Sequence, residues 1–149
     1  MLSLCAPLVP ILAQKGLNVS PVFEGTVIPE KRMVKTLVRG SQAKSYKLSL
    51  FHSLKMEASA EECDQIETLL KKDCHGLESE SVQEYGMRDG RLSYLIAQLP
   101  DRDNLHIFLC YQCYEEPEGN FHLTLVYMEG AATIMDLYKI FKTDKNKKK

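Results

Sequence analysis

A chain of 149 residues, 44% hydrophobic and 26% charged, has the size and balance of one globular domain built on one core. Its formal net charge of -1 argues against a surface given over to phosphate backbones, so no nucleic-acid partner is expected. No apolar run reaches the about 20 residues that a transmembrane helix needs, so no transmembrane segment is expected either.

The chain opens on MLSLCAPLVPILA, Met1 to Ala13, apolar throughout and broken for helix by Pro7 and Pro10. It reads either as a signal remnant, with Ala13 at the cleavage position but no basic leader, or as an arm with Leu8, Ile11 and Leu12 packed onto the domain. Residues 1–19 are therefore set apart as an apolar arm or residual signal segment, 20–143 as a single domain, and 144–149 as a basic disordered tail. The compartment follows the same fork. Five cysteines, an odd count, favour free thiols in the cytoplasm, whereas cleavage after residue 13 would place the protein in the envelope or outside the cell.

Two short β-like runs come next, Pro21 to Ile28 and Arg32 to Val38, around a turn at Pro29-Glu30. In SYKLSLFHSLKM, Tyr46, Leu48, Leu50, His52, Leu54 and Met56 alternate with polar residues, the pattern of a strand half buried on one side. A helix over 60–75 is announced by Ser59 and Glu62 as a capping box. Cys63, Ile66, Leu69, Leu70 and Cys74 make its apolar stripe, and Gly76 stands at its end. The period then returns to two. Ser79–Met87, Arg91–Leu99, Leu105–Glu115 and Asn120–Met128 read as a four-stranded antiparallel meander, with a tight turn at Arg88-Asp89-Gly90. Thr133 and Asp136 open a last helix with Ile134, Leu137, Tyr138 and Phe141 on its apolar stripe. The order β-β-β-α-β-β-β-β-α implies an α+β fold: a mostly antiparallel sheet of roughly six or seven strands with two amphipathic helices packed against one face.

Cys110 and Cys113 form a C-x-x-C, the spacing of metal knuckles and redox pairs, with His106 earlier in the same strand and His122 in the next. Positions three apart in an extended strand point to opposite faces, so these two sulfurs diverge and no metal or other cofactor is expected. Cys63 and Cys74 are three helical turns apart, about 16 Å, and cannot bond each other. A disulfide would have to join the helix to another element, such as Cys110 or Cys113; otherwise both are small core residues. If Glu115 pairs with Asn120 across a four-residue loop, Cys113 faces His122, the raw material of a thiol nucleophile. His52 reads as a hydrogen-bonded core or rim residue, and His75 as a favourable group at a helix C-terminus. The acidic groups Glu115, Glu116 and Glu118 lie at the opposite end of a strand from Asp101 and Asp103, so they make no single site. Asn18-Val19-Ser20 fits a glycosylation sequon but runs directly into Pro21.

With FHLTLVYMEGAATIMDLYKIFKT as a last strand feeding a final helix, the order of elements over about residues 20–143 resembles the PsbP/Mog1-type α+β domain. That resemblance implies an accessory, binding or chaperone-like factor. The residues themselves suggest a non-enzymatic domain that contacts another protein through a sheet face or edge, with Phe108, Tyr111 and Tyr114 as candidate contact aromatics on the two strand faces. The alternative is a small thiol-dependent hydrolase or transferase using Cys113 and His122.

Overall fold

The computed structural model describes residues 16–139; residues 1–15 of the arm expected at 1–19 and the tail expected at 144–149 lie outside them. Six strands, β1 (Met33–Arg39), β2 (Leu48–Ala58), β3 (Val82–Arg88), β4 (Arg91–Arg102), β5 (Leu105–Glu115) and β6 (Phe121–Gly130), form one sheet in the order β1-β2-β6-β5-β4-β3. Every neighbouring pair is antiparallel. The last strand is thus inserted between the first hairpin and the meander. Helix α3 (Ala60–Cys74) carries the chain from β2, next to one edge, to β3 at the other, and so crosses the whole sheet.

Local chemistry sets the boundaries. The Ser59 hydroxyl accepts the Glu62 N–H at 3.2 Å and Glu62 Oε1 accepts the Ser59 N–H at 2.9 Å, the reciprocal cap expected of these two residues. The helix ends on two left-handed residues, His75 at φ 59° and Gly76 at φ 96°. Asp89-Gly90 and Asp103-Asn104 each take positive φ at both positions, which suits two-residue hairpin loops whose twist matches that of the strands. Thr133 and Asp136 exchange hydrogen bonds at the start of the helical residues 134–139.

Alternation along the strands divides the core. Ile107, Leu109, Tyr111 and Cys113 of β5, with Leu123, Leu125 and Tyr127 of β6, pack under Cys63, Ile66, Leu70 and Cys74 of α3. On the other face Phe108, Cys110 and Met128 pack with Ala43 of the short helix α2 (Ser41–Lys44), Ala132 and Leu137. The two amphipathic helices therefore lie on opposite faces, which corrects the expectation that both cover one. The signal for this was present in β5 itself: Ile107 to Tyr111 is apolar at every position, as a strand buried on both sides must be.

Three further expectations are corrected. Pro21 to Ile28 is not a strand, so two strands rather than three precede the long helix. Ser20–Phe23 forms a short helix, α1, with proline in its first turn, and Val19, Val22, Phe23 and Ile28 plug the core. Leu48 does not share a face with Leu50, because a register shift between them turns the strand over and sends Leu48 to the second core. Tyr46 lies before β2 and is exposed.

Candidate functional site

Cys110 and Cys113 are buried on opposite faces, Cys110 beneath the second core and Cys113 beneath α3. Extended backbone from Leu105 to Glu115 requires this. Among the described residues no group of three or more His, Cys, Asp or Glu is placed to hold a metal ion.

The hairpin register separates Cys113 from His122. The loop holds five residues rather than four: the Glu116 N–H donates to Asn120 O at 2.7 Å, and Glu115 pairs with Phe121. Cys113 consequently faces Leu123, while His122 faces Tyr114 and stacks on its ring at 5.1 Å between centroids. The direct pairing of Cys113 with His122 expected from a four-residue loop is therefore not formed. The candidate aromatics also fare differently. Phe108 and Tyr111 are buried, the former by the cover over the second face, and Tyr114 alone of the three is exposed, at 47%. His106 pairs with Asp101 at 3.0 Å, and His52 packs on the Phe23 ring at 4.8 Å. The side chain of Asn18 donates to Asp73 at 3.0 Å, so the sequon asparagine is engaged in the fold.

What Cys113 does face is Cys63. Arg91 reaches Asp64 at 3.2 Å, and the Leu92 N–H donates to buried Glu67 at 3.2 Å, fixing the first half of α3 above the start of β4. Cys63 on the same stretch of helix thereby joins Cys113 in one buried cluster, and the two thiols are electrostatically coupled. Around this pair stand the Arg91 guanidinium, stacked 4.6 Å over the Phe121 ring, and the Tyr111 hydroxyl. Tyr111 Oη and Arg91 Nε are both buried without a well-aligned hydrogen-bond partner, two polar groups held in reserve next to one sulfur.

The electrostatics follow from this geometry. The Cys113 thiol is brought down to about 7, chiefly by the hydrogen bond from Cys63, with burial opposing and Tyr111 and Arg91 assisting. Cys63, the donor, is driven up by that same bond and by its own burial. Burial pushes Cys110 up to about 12, and burial first, then Asp73, pushes Cys74 up to about 11. One sulfur of the four thus differs from the rest in kind. Cys113 also lines a small surface hollow of about 40 Å³ bordered by Arg88, Arg91, Ser93 and Phe121. The sequence offered the helix-to-sheet pairing only as one of two choices, because selecting Cys113 over Cys110 requires knowing which face α3 covers.

A second feature is a surface. Strands β1 and β3 are the sheet edges. β3 carries two register shifts, the irregularity that blunts an edge, whereas β1 pairs with β2 through seven consecutive residues with none. Beside that regular edge Val34 is 66% and Leu37 48% exposed, one on each face.

Among the described residues no helix is long and apolar enough to cross a membrane. No curated protein and no solved structure matches the chain. Residues 6–141 match the model of the family described as Family of unknown function (DUF6108), and the chain belongs to that family.

Proposed function

We propose that this is a non-enzymatic accessory domain that binds another protein through its sheet edge, taking an extended segment of the partner as an added strand along β1. The observation that carries the reading is the regular, bulge-free β1 with exposed Val34 and Leu37 on its two faces. Such an edge offers backbone groups for affinity and alternate side chains for specificity. Charge indicates the partner. β1 contains Lys35 and Arg39 and no acidic residue, which disfavours pairing with a second copy of itself and favours a strand in which acidic residues alternate with apolar ones. The accessory or chaperone-like role implied by resemblance to PsbP/Mog1-type domains is of the same class.

A photoreactive residue placed at position 34, with position 83 on β3 as control, tests this in the source cell. Adducts from position 34 to an acidic, extended segment are expected, and Leu37→Glu should reduce them at least about tenfold while thermal stability changes little, as for most exposed substitutions. Adducts of equal yield from position 83, or a yield indifferent to Leu37→Glu, would overturn the reading.

A further inference from the structure

We propose that Cys113 and Cys63 form a redox-reactive dithiol, in which Cys113 attacks a small hydroperoxide and Cys63 resolves the product into a disulfide joining α3 to β5. The inference is separate from strand binding at β1 and stands on four observations. Both thiols are buried in one cluster and electrostatically coupled, brought there from elements fifty residues apart in sequence. A cation, Arg91, lies beside them and is fixed by Asp64 and the Phe121 ring. Two polar groups with no well-aligned partner, Tyr111 Oη and Arg91 Nε, sit at the same place. The hollow that reaches Cys113 opens to the surface and has about 40 Å³ of space, enough to admit a small solute.

The chemistry balances with the peroxide as sole oxidant. The Cys113 thiolate attacks one oxygen of the O–O bond; that bond breaks, Cys113 becomes a sulfenic acid, and the departing alkoxide or hydroxide takes a proton to leave as alcohol or water. The Cys63 sulfur then attacks Cys113, forming the S–S bond. The sulfenic oxygen leaves as water, carrying the Cys63 proton and its own. Two electrons pass from the dithiol to the peroxide. The surroundings suit both steps: Arg91 and the donors around Cys113 favour its anion, and Tyr111 is placed to give a proton toward the developing charge. The carboxylate of Glu67 opposes that anion, but Lys71 at 3.1 Å and the Leu92 N–H offset its charge.

The test treats the purified full chain with one equivalent of hydrogen peroxide near neutral pH, blocks remaining thiols, and maps peptides without reduction. A Cys63–Cys113 linked peptide is expected, lost on adding dithiothreitol, with Cys74 and Cys110 still blocked as thiols. Peptide mapping also separates this product from any involving Cys5, which lies outside the described residues. In Cys63→Ser the sulfenic acid should persist on Cys113 and be trapped by dimedone, and Tyr111→Phe should slow oxidation by about tenfold. Oxidation spread evenly over the cysteines, or an unreacted Cys113 in the folded wild-type protein, would overturn the proposal.

Discussion

The carboxylate of Asp73 holds the backbone of Asn18. Its Oδ1 accepts the Asn18 N–H at 2.6 Å while Oδ2 accepts the Val19 N–H at 3.0 Å, so the last turn of α3 anchors the segment that carries Val19, Val22 and Phe23 into the core. Charge-assisted bonds of this kind are the stronger sort. Asp73→Ala should therefore cost about 1–3 kcal/mol in urea unfolding, with Asp73→Asn losing less because one acceptor survives. A change below about 0.5 kcal/mol, the range of ordinary surface substitutions, would show that the core contacts alone seat this segment.

Phe108 is fully buried in the smaller core, between the sheet and Leu137. Phe108→Ala should destabilise by about 3–5 kcal/mol, as for aromatic truncations in well-packed interiors. If Phe108 were instead a contact residue for a partner, the isolated protein would be nearly indifferent to its loss, and chemical denaturation separates the two.

The His52 imidazole is held below its ordinary range, first by burial and then by repulsion from Lys35 and Arg39. Folding thus favours the neutral ring. Its contribution is fully present above the unfolded value of about 6.5 and is lost as pH falls through the lower folded value. The unfolding midpoint should drop on acidification through that window, and His52→Gln should flatten this part of the profile. An unchanged slope in the variant would assign the pH dependence elsewhere.

Gly130 sits where β6 meets the irregular start of β2. A Cβ there would stand 2.5 Å from Leu48 Cα and 2.6 Å from Lys47 O, both backbone atoms that have little room to yield. Gly130→Ala should cost about 1–3 kcal/mol by overpacking, and hydrogen exchange should localise the loosening to the β2–β6 pairing. Protection unchanged from wild type would show that the two strands part without penalty.

The parts of this fold governed by short-range chemistry were legible from residues alone. Ser59 and Glu62 marked the helix start, and β5 runs from Leu105 to Glu115, the bounds that the flanking turns indicate. The turn glycine Gly90 and its neighbour Asp89 placed the β3–β4 hairpin. What failed depended on a single residue of register or on tertiary cover. One extra loop residue moved His122 from Cys113 to Tyr114, and a bulge near Ser49 sent Leu48 to the opposite face from Leu50. The strand-like composition of Pro21 to Ile28 was overridden by packing, with Val22 and Phe23 buried as a helical plug. The dithiol lay between these cases: its residues and their divergence from Cys110 could be read, but the identity of the facing helix residue could not.

Because β6 lies between β2 and β5, the amino-terminal hairpin leaves the ribosome long before the strand it must sit beside has been translated. Until then its inner edge is unsatisfied, and the meander has no bridge to it. Completion of the sheet is accordingly a late, long-range event, which predicts slow refolding for a chain of this length and a period during synthesis when a holding factor would have most to protect.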